Sequence, residues 1–339
     1  MPEKKKEQVL SVRDLDITFK TTAGPVHAIR GVNIDLYKGE TVALVGESGS
    51  GKSVTMKAAM GILAQNAKVN SGSIQFSYHH ADGSPETVDL LQKDKKWIRR
   101  HINGKRIAMV FQDPMTSLDP TMTIGKQIME GMLWHFKMPK AEAYQKALKL
   151  LEEVGITDAE KRMKSYPHQL SGGMRQRVMI AIALCCKPDL LIADEPTTAL
   201  DVTVQAQIMD LIQQLKEEEN MGVILITHDM AVVAENCDRV IVMYLGQMVE
   251  EASVTDIFEH PLHPYTVGLI QSIPQMTTDS EQELFMIKGS LPLLTQIKKG
   301  CRFASRCPYA TDKCREEEPE LQKTGENHSV RCHFPRFGE

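Results

Sequence analysis

Apolar residues gather in four short runs: Thr41-Val42-Ala43-Leu44-Val45, Arg106 to Phe111, Leu190-Leu191-Ile192-Ala193, and Val223 to Thr227. Runs of this length and character predict buried strands. Val9 to Phe19 alternates polar and apolar positions and predicts a half-buried strand, and Ala28 to Leu36 predicts another, with the turn-formers Thr21 to Pro25 between them. Ser73 to Phe76 predicts a short strand after the turn Asn70-Ser71-Gly72. Val240 to Leu245 and Gln247 to Glu250 predict a hairpin with Gly246 in its turn. Helical spacing takes over elsewhere. One helix is expected to end near Leu63, others over Lys126 to Phe136, Ala141 to Val154 and Val178 to Cys186. In the third of these Ala147, Leu148, Leu151 and Val154 share a face, and Gly155 is placed to end it. The polar stretch Tyr78 to Lys96, with His79 and His80, reads as a solvated hairpin or loop to which no chemistry is assigned.

The chemistry lies where the buried runs stop. The first opens into Gly46-Glu47-Ser48-Gly49-Ser50-Gly51-Lys52-Ser53, the G-x-x-x-x-G-K-S pattern of a phosphate-binding loop between a strand and a helix. Its glycines let backbone N–H groups turn toward a polyphosphate, and the following helix adds its positive end. Lys52 is expected to reach the β- and γ-phosphates of ATP, and the Ser53 hydroxyl to ligate Mg²⁺. The second run delivers Gln112, within reach of Mg²⁺ or the attacking water. The third delivers Asp194 and Glu195. Two acids at a buried strand end need a cation nearby; Asp194 is expected to hold Mg²⁺ through water and Glu195 to take the proton of the attacking water. The fourth run ends at His228, expected to face the γ-phosphate. Ends of adjacent parallel strands are where α/β folds bind ligands. A further segment, Leu170-Ser171-Gly172-Gly173-Met174-Arg175-Gln176-Arg177, offers Ser171 as an N-cap and leaves a helix end open to an anion.

Composition narrows the class. The chain has 339 residues, 42% hydrophobic and 25% charged, which suits a large globular domain plus a smaller one. A net charge of −4 weighs against a nucleic-acid binder. The longest apolar run, Val178 to Cys186, falls far short of the ~18 residues of a membrane span. Met1-Pro2-Glu3-Lys4-Lys5-Lys6-Glu7 lacks the apolar core of a signal peptide, so the expected compartment is the cytosol.

In this order the motifs resemble the nucleotide-binding domain of ABC ATPases over residues 8–255, since Ser171-Gly172-Gly173 is foreign to other P-loop classes. The resemblance implies an α/β, P-loop NTPase fold of the ABC type: a RecA-like parallel sheet core, an antiparallel β subdomain and a helical subdomain at about 124–186. It implies Phe19 as the aromatic that stacks on adenine, Gln112 as the Q-loop residue, Glu195 as catalytic base and His228 as the switch histidine. It also implies a head-to-tail pair in which Ser171, Gly172, Gly173 and Gln176 reach ATP held by the other subunit, with Ala199-Leu200-Asp201 at the contact. His260-Pro261-Leu262-His263-Pro264-Tyr265-Thr266, Gly300-Cys301-Arg302-Phe303 and Arg306-Cys307-Pro308 resemble the carboxyl extension (residues 256–339) of oligopeptide and dipeptide importer ATPases, D-type. That family implies a heterodimer with a related ATPase beneath two membrane permeases, on the cytoplasmic face of the membrane, fed by an extracellular peptide-binding protein and binding no nucleic acid. A soluble ABC protein acting on nucleic acid or ribosomes, and an exporter subunit, are the other readings. Only 59 positions separate Gln112 from Ser171, leaving no room for a coiled-coil arm.

Cys301, Cys307, Cys314 and Cys332 cluster in the tail, whereas Cys185, Cys186 and Cys237 read as core fillers. Four thiols in a reducing compartment suggest a metal before disulfides. Their spacing lacks the C-x-x-C of zinc ribbons and differs from ferredoxin patterns. Similar tails in the family imply a [4Fe–4S] cluster; zinc and free thiols are the alternatives. The tail carries few large apolar residues, so a metal is expected to organise it.

Overall fold

The computed structural model describes residues 6–22, 24–80, 82–197, 200–273, 286–297 and 299–336. Two β-sheets carry the fold. The strands in chain order are β1 Gln8–Thr21, β2 Gly24–Tyr37, β3 Thr41–Val45, β4 Ala67–His79, β5 Pro85–Asp89, β6 Ile107–Val110, β7 Leu190–Asp194, β8 Gly222–Thr227, β9 Arg239–Tyr244, β10 Gln247–Ser253, β11 Gln322–Lys323 and β12 Ser329–Val330. β2, β1, β4 and β5 form an antiparallel sheet in that order; the second sheet runs β11-β12-β10-β9-β3-β8-β7-β6. Within it β9, β3, β8, β7 and β6 are parallel. The four apolar runs supply four of these five strands. Every residue of β3, β6, β7 and β8 is buried, as expected of parallel strands covered on both faces.

Three apolar clusters hold the layers together. One joins the helices Ile124–Phe136, Lys140–Glu153, Gly172–Leu184 and Val202–Glu219 to β6, β7 and β8. A second fills the space between the two sheets through Leu10, Ile17, Phe76 and Met56. The third surrounds Tyr244, Tyr265 and Phe303. The helices expected near 126–136 and 141–154 are present, and Gly155 follows the second with φ +75°. The helix expected from Val178 starts earlier, at Gly172, because Ser171 caps it by accepting the N–H of Met174.

Three expectations need correction. The strand expected over Ser73–Phe76 is the 13-residue β4, lengthened because Phe19 pairs with Ala67 and Leu10 with Phe76 across β1. The stretch 78–96 is a hairpin, but not wholly solvated. Its end turns into the helix Lys95–His101, which Asp94 caps by accepting from Lys96 and Trp97, and Leu90 and Ile98 are buried. The tail also has apolar and sheet contacts that its composition does not suggest. Phe303 is buried edge-on against Tyr244, and β12 pairs with β10, extending the main sheet. Residue 255, the expected end of the first domain, falls inside the helix Val254–Glu259.

The turn between β9 and β10 is the hairpin expected at Gly246. Leu245 and Gly246 both have positive φ, as a tight hairpin turn requires. A Cβ on Gly246 would lie 1.7 Å from the Ala28 carbonyl oxygen, so only glycine fits.

Candidate active site

Gln112, Glu195, His228 and the phosphate-loop motif all follow the carboxyl ends of parallel strands, β6, β7, β8 and β3 respectively, so the sheet itself brings them to one edge. Gly46 leaves β3 at φ +145°, where a Cβ would lie 2.1 Å from the Met243 carbonyl oxygen. The loop is thereby pressed against β9. Ser48 and Gly49 are exposed at its crest, Ser50 is buried, and Gly51 precedes the helix Lys52–Ala59.

Lys52 is 5% exposed. Its Nζ donates to the carbonyl oxygens of Gly46 at 2.6 Å and Glu47 at 3.1 Å, and to Ser50 Oγ at 3.4 Å. Burial pulls its pKa down, while Glu195, Asp194 and Glu47 pull it up. The ammonium thus sits among acceptors of the very loop that would surround a polyphosphate. The Ser53 hydroxyl donates to Asp194 Oδ1 at 2.8 Å. Burial raises the Asp194 carboxyl above its usual range against the opposing Ser53 hydrogen bond. A hydroxyl and a buried carboxylate side by side fit Mg²⁺, which takes one or two protein oxygens and completes its shell with phosphate and water.

Glu195 turns sharply off β7 at φ +48°, its N–H held by the Ile226 carbonyl at 2.8 Å. Gln112 Nε2 donates to Glu195 Oε2 at 2.8 Å, and His228 Nδ1 lies 3.5 Å from Glu195 Oε1. Gln112 and His228 are exposed, so both flank the carboxylate from the solvent side. Six expected residues (Lys52, Ser53, Gln112, Asp194, Glu195 and His228) therefore meet in one polar cluster.

Others do not join it. Ser171 and Gly172 are exposed at a helix tip, and a Cβ on Gly172 would meet open space. Among the described residues no hydrogen bond connects 171–173 with 46–53. Gly173 lies against Val204, and Gln176 is buried with an unpartnered Nε2 rather than displayed at the tip. Phe19 is half-buried on β1, where it packs on the second apolar cluster. Asp201 caps the helix Val202–Glu219 by accepting from Val204, and Leu200 packs against the first cluster; Ala199 lies outside the described residues.

None of the four tail cysteines is in a disulfide; Cys314 is buried and the others are half-buried. Burial raises Cys301 to about 11, and the nearby Cys332, Cys314 and Cys307 push in the same direction. Cys307 and Cys332 are raised for the same reasons. Yet among the described residues no group of three or more His, Cys, Asp or Glu side chains is arranged to hold a metal ion. The thiols are neighbours, but neither the [4Fe–4S] nor the zinc geometry expected from sequence is formed by these side chains as placed. Cys186 is buried with its Sγ 3.6 Å from that of Cys185, and half-buried Cys237 packs against the core, as expected of fillers.

Sequence reasoning missed two residues that grip the loop. Arg306 binds the Glu47 carboxylate and the Tyr265 hydroxyl accepts the Glu47 N–H. Both stood within the quoted tail motifs, but no local signal joins Glu47 to positions 218 and 259 residues away.

Comparison with known proteins bears on the same segments. The family model described as "ABC transporter" matches residues 29–198, and that described as "Oligopeptide/dipeptide transporter, C-terminal region" matches residues 249–314. The chain is 50% identical to the oligopeptide transport ATP-binding protein AppD of Bacillus subtilis over 96% of each chain. It is 47% identical to the oligopeptide transport ATP-binding protein OppD of Escherichia coli, covering 94% of this chain and 91% of that one. Among solved structures, the dimeric post-hydrolysis state of the ATP-binding cassette MJ0796 bound to ADP and Pi superposes with a TM-score of 0.62 at 27% identity, over 72% of this chain and 98% of that one. The cbiO1 protein of Clostridium perfringens, part of the ABC transporter complex cbiONQ, gives 0.60 at 30% identity, over 75% and 92%.

Proposed function

The chain belongs to the ABC transporter ATPases, in the group that carries the oligopeptide/dipeptide carboxyl-terminal region, and on that footing we propose that it binds MgATP and hydrolyses it to drive uptake of oligopeptides. The observation that carries this reading is the convergence of Lys52, Ser53, Asp194 and Glu195 at the parallel strand ends. Lys52 exchanges its loop carbonyls for phosphate oxygens. Ser53 and Asp194 would hold Mg²⁺, which would offset the charge of the phosphates. Glu195 accepts a proton from the attacking water, while Gln112 and His228 keep that water on the carboxylate. Phe19 takes the adenine on its exposed part.

Ser171, Gly172 and Gly173 serve a different copy of the site. Their helix tip is capped by Ser171 and open at Gly172, and among the described residues it makes no hydrogen bond to this chain's own loop, which suits it to the phosphates bound by a second cassette. The fitting partner is a related ATPase, the pair lying beneath two permeases that receive peptide from an external binding protein. Among the described residues no helix is long and apolar enough to cross a membrane, so contact with the bilayer falls to the permeases. The test is ATP turnover by the four-subunit assembly in liposomes. Peptide-loaded binding protein is expected to raise it; turnover blind to peptide sinks the import reading.

The finer reading of the tail is that Cys301, Cys307, Cys314 and Cys332 together ligate a [4Fe–4S] cluster, zinc being the alternative. It is supported by the gathering of the four cysteines in the folded tail, where Cys332, Cys314 and Cys307 all act on the Cys301 thiol that burial pushes up. Protein purified without oxygen is expected to carry iron and sulfide, and Cys307→Ser to lose both. Unchanged iron in that variant removes Cys307 from the ligand set.

A further inference from the structure

We propose that the carboxyl-terminal extension braces the phosphate loop, with Arg306 and Tyr265 as positioning residues for nucleotide binding. This rests on the ATP-site reading and adds to it a part of the chain remote from the loop motif. Glu47 is the second residue of that motif, and its carboxylate receives a two-pronged contact from Arg306: Nη1 to Oε2 at 2.6 Å and Nη2 to Oε1 at 2.9 Å. The Arg306 side chain is only 5% exposed and its Nη1 is also 3.4 Å from the Tyr244 hydroxyl. A fork of this kind fixes direction as well as distance. The Glu47 N–H donates to the Tyr265 hydroxyl at 2.8 Å, and the Tyr265 ring is buried between Tyr244 and Phe303. The other end of the loop is held as well. Ser50 accepts from the Gly246 N–H at 2.8 Å, and Arg302 donates to the carbonyl of the preceding residue, Leu245.

Two consequences favour ATP. A loop already held at Glu47 and Ser50 loses less freedom when phosphate binds. The Arg306 guanidinium also neutralises a carboxylate that would otherwise repel the polyphosphate. Removing Arg306 therefore loosens the loop and uncovers a negative charge, and the second effect disappears if the charge goes too.

The test is equilibrium binding of a fluorescent ATP analogue to the full-length chain. Arg306→Gln is expected to bind about ten-fold more weakly than wild type. Arg306→Gln with Glu47→Gln should recover to within about three-fold of Glu47→Gln alone, a rescue that general loss of stability would not give. Tyr265→Phe, which keeps the ring packing, should bind about three-fold more weakly. Wild-type affinity in both Arg306→Gln and Tyr265→Phe overturns the brace while leaving the ATP site standing. Losses that multiply in the double variant overturn the charge coupling. A wild-type chain that binds no analogue at all overturns both readings.

Discussion

Replacing Glu195 with glutamine is expected to leave ATP binding intact and to cut hydrolysis by about 10²- to 10⁴-fold, the usual worth of a positioned general base. The substitution keeps the size of the side chain and its hydrogen bond with Gln112, so the loop, Lys52 and Ser53 stay as they are. What it removes is the proton acceptor. His228 does not replace it on this reading: its exposed ring, with Nδ1 3.5 Å from Glu195 Oε1, holds the water rather than taking its proton. The measurement is phosphate release under saturating MgATP beside nucleotide affinity. A variant that still turns over at the wild-type rate dismisses Glu195 as the base.

Lys52→Ala is expected to act on binding itself. The buried ammonium donates to the loop's own carbonyls and feels the charges of Glu195, Asp194 and Glu47. A charged hydrogen bond is worth about 1.5–3 kcal/mol, so ATP affinity should fall by roughly ten- to a hundred-fold. The loss differs in kind from that at Glu195: one variant binds without turnover, the other scarcely binds. Titration with labelled ATP separates them, and unchanged affinity in Lys52→Ala would remove the lysine from the phosphate site.

The catalytic edge was legible because parallel strands advertise themselves. β3, β7 and β8 are buried on both faces, so they must be continuous apolar runs, and whatever polar residue follows each run lies at the same edge of the sheet. Glu195, Gln112 and His228 could be placed on that ground alone. β4 was less visible. Its first half, with Asn70 and Ser71 turned to solvent, owes its strand conformation to pairing with β1, and no pattern within the segment records this. The helix Lys95–His101 escaped because one buried residue, Ile98, is all its apolar face needs. Arg306 and Tyr265 escaped for a more general reason. Their contacts with Glu47 are products of the tail's path back across β9 and β10, and a contact between remote segments leaves no periodicity in either.

The cysteines show the reverse case. Their clustering in the sequence is plain, and the fold does bring them within reach of one another's charge. What spacing could not reveal is how much of the tail is held by other means. Phe303 against Tyr244 and Tyr265, and β12 on the edge of the main sheet, give the extension an apolar anchor of its own. A metal would then be added to a tail already fastened to the ATPase.

Under the proposed function one chain supplies only part of its ATP site, and the exposed Ser171 serves a neighbour's nucleotide. Light scattering on Glu195→Gln mixed with the companion ATPase, with and without saturating MgATP, addresses this most directly. A one-to-one complex that forms with ATP and dissolves when Ser171→Arg is introduced in both proteins' equivalent helix tips is the expected result. Two separate cassettes, each holding ATP and neither engaging the other, would contradict it.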